Sequence, residues 1–448
     1  MDAGENASSA GLTAQAFQAA DGTGDWRVID RDAMAWFPTS SHAAGAALVR
    51  RLIDATTTLP DIDVRAGGVQ VRLPRGGAWV PETGIPGSPA GGRFTAADLQ
   101  ASRAVSTAAA DLGLTADPSV LQVVSIGIDA QDASTLLPFW SQALGYDHAG
   151  AAALHDPGRR RPSVRFQDQS APRPLRNRLH LDAVTTQPVA VATVAAAPDL
   201  GGRVQDNGYY ATVADADGNE VDVLPLPEGA DRWDEPGTED WRLTFAAIAS
   251  YPTQSQAQAA DLVEQVAALA DEAGLALGID VRGDRVTLDT GKDLWEMHEG
   301  YAPLAARCQS AARTLGLEAD VSVLRFLQVG IDAVDIPAVR RFWTAALGYV
   351  EDPRDGVTDI VHPHHLTMPI FLQRLDAEDR ARRAQRNRIH LDVFVPGDEA
   401  RSRVDAAVAA GGRISNDAAA PAWWTITDPE GNEVCICVSP GREEMWGT

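Results

Sequence analysis

The chain has 448 residues, 45% of them hydrophobic, and a formal net charge of −24. So much negative charge argues against nucleic acid as a partner and disfavours an anionic membrane surface, and no apolar run reaches the ~18 residues that a membrane span needs. At about 100–150 residues per domain the length allows three or four soluble domains. Cys308, Cys435 and Cys437 make an odd count without a metal-type spacing, which points to a reducing, cytoplasmic setting. No basic start followed by an apolar run is present, so no secretory signal is expected. Lys292 is the only lysine.

In chain order, residues 1–22 read as a flexible lead-in with a short helix near Leu12–Ala20. A strand-like stretch, Trp26-Arg-Val-Ile, leads to Phe37 and then to a helix over His42–Ala55. Ile62-Asp-Val and Val69-Gln-Val-Arg-Leu73 alternate with the period of two that marks strands. Thr95 is placed as the N-cap of an Ala-rich helix running to about Leu114. Residues 23–118 are therefore expected to form a module of helices on a small antiparallel sheet.

Residues 119–228 read as a second domain. A strand over 119–132 precedes a helix, Ala133–Leu144, that Gly145 ends. Short strands follow near 150–154 and 163–168, then a strand at 178–183, a helix at 187–197 and a closing hairpin. That hairpin, Tyr209–Ala214 with Glu220–Leu224, turns on Asp-Ala-Asp-Gly-Asn, where glycine tolerates the backbone that a tight turn requires. The pattern is βαβββ written twice. Residues 229–237 read as a linker, and 238–322 and 323–448 repeat the two domains.

The repeat is explicit. Arg176-Asn-Arg-Leu-His-Leu-Asp182 returns as Arg386-Asn-Arg-Ile-His-Leu-Asp392, and Asp215-Ala-Asp-Gly-Asn-Glu-Val-Asp222 as Asp428-Pro-Glu-Gly-Asn-Glu-Val-Cys435. Phe139-Trp140 and Asp25-Trp26 return as Phe342-Trp343 and Asp240-Trp241. A period above 200 residues is a duplicated pair of domains, since solenoid repeats run to roughly 20–50. The expected class is α+β, in two tandem halves.

Gly-Ile-Asp-Ala-x-Asp, Phe-Trp and Ala-Leu-Gly-Tyr (127–146 and 330–349), followed by His-Leu-Asp and Asp-x-x-Gly-Asn-Glu-Val, resemble the glyoxalase/bleomycin-resistance/dioxygenase superfamily, the vicinal oxygen chelate fold. The resemblance covers about half of the chain. It implies paired βαβββ units forming a cupped sheet, on a fold that hosts isomerases, dioxygenases, epoxide-opening transferases and plain drug binders. The other segments are similar to pterin-4a-carbinolamine dehydratase. Leu59-Pro60-Asp-Ile-Asp-Val, Val69-Gln-Val-Arg-Leu and Gly92-Arg-Phe-Thr-Ala-Ala-Asp98 carry that likeness. Where that family has a His-His-Pro phrase this chain has Thr58-Leu59-Pro60, and a later histidine position falls near Gly76. Only His42 is available there, and dehydration needs an imidazole acid or base beside the leaving hydroxyl.

In the chelate family four strand positions point into the cup and hold a divalent metal. Carried across, they fall at Ser125, Gln167 or Gln169, His180 and Asp222 in the first half. In the second half they fall at Gln328, Gln373, His390 and Cys435. Strand alternation puts Leu179 and Leu181 on one face with His180 and Asp182 on the other, and puts Asp222 opposite Val221 and Val223. His180 and Asp222 are thus expected to converge. Neither half offers the two or three strong donors that a tight site wants. His180 with Asp182, and His390 with Asp392, read first as buried, hydrogen-bonded structural pairs. Arg176, Arg178, Arg386 and Arg388 could grip a carboxylate or phosphate at the rim, or neutralise the acidic chain. Tyr210 and Trp424 are candidate pocket walls. Val361-His-Pro-His-His365 is expected in a surface loop.

The expected function is binding of a small molecule in one or both cups, in the manner of resistance proteins, without an obligatory metal. One alternative is a metal-dependent lyase, isomerase or dioxygenase, a divalent metal being the one cofactor that the resemblance raises. A second is pterin dehydration, disfavoured by the missing histidines. Homo-oligomerisation is left open.

Overall fold

The computed structural model describes residues 11–74, 93–169 and 171–442. Gly76 and the first ten residues of the expected lead-in lie outside them. Among the described residues no helix is long and apolar enough to cross a membrane.

Local signals set most helices. Ser41 caps His42–Ala55 through the Ala44 amide, and Thr95 with Asp98 forms a reciprocal capping box on Ala96–Asp111. Gly145, at a φ of +65°, ends Ala133–Leu144 in the left-handed conformation. The expected lead-in contributes to a core instead: Phe17, on the helix Ala14–Gln18, is fully buried and stacks on Phe94 at 4.2 Å.

Three eight-stranded sheets organise the chain. The first joins the two modules that precede the cups. Asp61–Arg65 pairs antiparallel with Gly278–Arg282, Asp63 opposite Asp280, so each module covers the strand edge that the other would expose. Helices cover one face, over Ile62, Val64, Ile279 and Val281. The opposite face carries Asp61, Asp63, Arg65, Asp280 and Arg282, all buried. Arg65 pairs with Asp280 and Arg282 with Asp63, a reciprocal exchange across the seam between modules.

The other two sheets are the cups, and each takes four strands from each half of the chain. In one, Leu179–Thr185 and the strands after it pair with Arg325–Ala333 and its neighbours. In the other, Ile389–Phe394 pairs with Val123–Ala130. Here they are called the His180 cup and the His390 cup. Local pattern fixes each strand's faces but leaves its distant neighbour open, so the donors cannot be assigned half by half.

The helix-free face of the first sheet lies over both concave faces. Ile29, Met34 and Trp36 pack against Phe394, Cys437 and the half-buried Cys435. Over the His180 cup, Ala246 and Ile248 pack on Phe326, and Phe245 meets Phe326 edge to face at 6.0 Å. Each cup is thereby roofed by a module.

Candidate functional site

The His180 cup gathers His180, Asp182 and Asp222, whose ligand atoms lie within 4.8 Å of one another. His180 lies flat on the neighbouring strand because residue 330 is glycine: a Cβ there would stand 2.2 Å from His180 Cε1. Phe371 meets the imidazole edge-on at 5.6 Å. Gln328 enters from the other half of the chain and donates Nε2 to Asp182 Oδ2 at 2.7 Å. Asp182 Oδ1 and Gln328 Oε1, both buried, make no hydrogen bond. Thr212 donates to Asp222 at 2.6 Å, and Gln373 donates to Asp332 at 2.6 Å.

Burial dominates the charges in this cup. It pushes Asp182 up to about 7, raises Asp222, and lowers His180 to about 4. The imidazole is neutral at pH 7, and its ring nitrogen lies close to the oxygens of two acids, Asp182 and Asp222, with Gln328 bonded to the first of them. This donor set fits a divalent cation.

The His390 cup has the same scaffold with other chemistry. His390 lies against Gly127, where a Cβ would stand 2.3 Å from its Cε1. Its Nε2 is 3.5 Å from Asp392 Oδ1 and 3.3 Å from Gln167 Nε2. Burial opposes charge on both members of the pair, but Asp392 raises the imidazole and is itself lowered by it. Burial holds the Cys435 thiol well above its usual range, and Thr425 Oγ1 is 3.5 Å from its Sγ. Ser125 is buried opposite Asp392. The ligand atoms of His390, Asp392 and Cys435 also lie within 4.8 Å of one another, but the imidazole and the thiol both hold their protons more tightly than the free groups do, which weakens them as metal donors.

The rim residues divide. Arg178 and Arg388 are buried at 2% and 1% exposure and tie the halves together. Arg178 donates to Asn432 Oδ1 and to the carbonyls of Arg382, Arg383 and Gln385. Arg388 donates to Asn219 Oδ1 and to carbonyls at Arg173, Leu175 and Gly218. Asn177 and Asn387 each accept the other half's arginine amide while donating to Asn219 and Asn432. The repeated Arg-Asn-Arg and Gly-Asn phrases therefore form one interlock. Arg176 pairs with Glu220, and Arg386 with Glu433 and Asp129, nearer the solvent.

Trp424 lies in the core beneath the helices, and Trp423 takes the concave face with Cys435. Tyr210, half-buried, immediately precedes Ala211–Ala214, whose Thr212 reaches Asp222. His42, the histidine considered for pterin chemistry, is bound to Asp271 at 2.8 Å and to the Leu277 backbone. His362, expected in a surface loop, is buried and lowered to about 3 by burial, while His364 packs against Trp36 at 4.5 Å.

Sequence reasoning missed a cavity of about 360 Å³ between the first module and the β-strands Val123–Ala130, Val164–Asp168 and Ala153–His155 of the His390 cup. Met34, Val123, Val124, Leu154 and Leu366 supply apolar wall. Arg31, Arg72 and Arg165 line it, as does Arg159-Arg160-Arg161, the run that could have drawn attention to this place.

Residues 125–224 and 328–437 match the family model of a glyoxalase-like domain. A glyoxalase I mutant from Zea mays superposes with a TM-score of 0.37 at 10% identity, covering 71% of this chain and 95% of that one. Glyoxalase I from Zea mays gives 0.35 at 10% identity, covering 71% and 93%. A putative dioxygenase from Bacillus subtilis gives 0.34 at 9% identity, covering 72% and 86%. No curated protein matches the chain.

Proposed function

We propose, taking the two glyoxalase-like segments as the premise, that the protein binds a small molecule on the concave side of the His390 cup, under the roof of the first module. The observation that carries this reading is the cavity of about 360 Å³, a size typical of small-molecule sites, lined by many charged and polar side chains together with an apolar group that includes Met34, Val123, Val124 and Leu154. This binding requires no metal. The modules that resemble pterin dehydratase serve as covers.

A compound screen by thermal shift tests the reading. A ligand that stabilises the folded chain raises its melting temperature, and filling the cavity by Ala149→Trp should abolish that rise. If no compound stabilises the protein, or if Ala149→Trp keeps every response, the reading is wrong.

A second reading applies to the other cup, where Asp182 Oδ1 and Gln328 Oε1 are buried without a hydrogen bond. His180, Asp182, Asp222 and Gln328 would hold a divalent cation. Such an ion supplies Lewis-acid polarisation of a bound oxygen. Asp182 and Asp222 would then give up their protons to bind the ion, and the second module would exclude water. Cobalt(II) titration checks this: a visible absorption band that saturates at one ion per chain and is lost in His180→Ala supports it. No band in the wild-type protein would count against it.

A further inference from the structure

We propose that the cavity beneath the first module selects an anion, a carboxylate, sulfonate or phosphate monoester carried on an apolar body. This rests on the binding reading above and names its ligand class.

Six arginines and three aspartates line the cavity. Four of those arginines are held by acids. Arg159 binds Asp61 at 2.5 Å, and Arg160 binds Asp280 at 2.5 Å and Asp289 at 2.8 Å. Arg161 is clamped by Asp156, and Arg165 by Asp30. Arg72 is different. Its nearest carboxylate oxygens, on Asp63 and Asp32, stand 3.7 and 3.9 Å from its Nη atoms, beyond hydrogen-bond range. Asp63 is already taken by Arg282 and Gln70. The Nε of Arg72 is buried and makes no hydrogen bond. A planar guanidinium with donors left over is suited to a two-oxygen anion.

The remaining acid, Asp32, competes with an anion for Arg72 less strongly as pH falls below about 6. Asp32 is raised to about 6, because burial disfavours its charged form. Met34, Val123, Val124 and Leu154 also line the cavity and would receive the apolar part of the ligand. With four of the other arginines paired to acids, Arg72 is the cation here whose donors are left for a ligand.

Two fluorescent probes of nearly equal shape separate charge from shape: anilinonaphthalene sulfonate, an anion, and neutral phenylnaphthylamine. Each is titrated into the full chain and into three variants. Arg72→Met removes the donors, Arg72→Lys restores a charge, and Ala149→Trp fills the cavity. The sulfonate should bind once per chain and weaken about tenfold or more in Arg72→Met, recover in part in Arg72→Lys, and be lost in Ala149→Trp. Neutral probe should bind more weakly and ignore Arg72→Met. If the neutral probe binds as tightly and is lost only in Ala149→Trp, the binding reading stands and the anion class falls. Sulfonate binding unchanged in both Arg72→Met and Ala149→Trp, or absent from the wild type, overturns both. Displacement of the dye by benzoate or by phenyl phosphate identifies the preferred anion. Circular dichroism of each variant confirms the fold.

Discussion

Gln328 donates its side-chain amide to Asp182 at 2.7 Å, across the seam where the two halves of the chain meet inside one cup. The bond puts a carboxylate from one half under the control of an amide from the other. Gln328→Leu leaves the buried carboxylate without a donor and should lower stability by about 1–3 kcal/mol. Urea denaturation reads this directly; an unchanged midpoint would mean that the bond is not formed.

Gly330 lies against the His180 ring, and Gly24 has nothing within 4 Å of an added Cβ. Gly330→Ala forces the imidazole off the sheet, at about 1–3 kcal/mol for an overpacked contact. Gly24→Ala should be near neutral. Comparison of the two melting temperatures checks the close approach.

Arg178 is buried and donates to four oxygens from the other half of the chain. Removing one partner from such a network leaves buried acceptors unpaired, so Arg178→Met should cost about 3 kcal/mol or more. The matching Arg388→Met should behave alike. A loss below about 1 kcal/mol in both, by denaturant titration, would contradict the interlock.

Asp32 is raised to about 6 in the folded chain from its ordinary 3.8. The folded state therefore holds its proton more tightly than the unfolded chain does, and ionised Asp32 costs stability above about pH 6. As pH falls from 6 towards 4 that cost is relieved. Asp32→Asn should stabilise the protein at pH 7.5 by about 1–3 kcal/mol, allowing for its partial exposure. The gain should vanish near pH 4. A difference independent of pH would rule out the raised carboxyl.

Lys292 has a side chain only 11% exposed, pairs with Asp359, and sits 5.7 Å from the centres of both the Phe245 and Phe371 rings. Reductive methylation should mark Lys292 slowly in the native protein and quickly in urea. Mass spectrometry follows the peptide that carries it, and equal rates in the two conditions would place the amine in solvent.

The elements carried by local chemistry were legible in the sequence. Thr95 and Gly145 mark helix ends, and alternation placed His180 and Asp222 on one face. The neighbours of a strand are a different matter. Nothing near Ser125 says that it faces Asp392 rather than His180, because that pairing joins segments more than 250 residues apart. A single register step separates Trp423, on the concave face, from Trp424 under the helices. Arg178 and Arg388 have the chemistry of a ligand clamp, and only the tertiary fold turns them towards carbonyls. The cavity is likewise made by two domains and has no local pattern of its own.

The sharing of strands between halves has a consequence for symmetry. Two identical chains exchanging strands about a twofold axis must build the same cup twice, so any change in one site is imposed on the other. A single chain carrying both copies is released from that constraint. Asp222 and Cys435 occupy equivalent strand positions beside equivalent histidines, yet burial lowers the imidazole among acids in one cup while an aspartate raises the imidazole beside a thiol in the other. The asymmetry belongs to a covalent pair, which can specialise one member and leave the other as its frame.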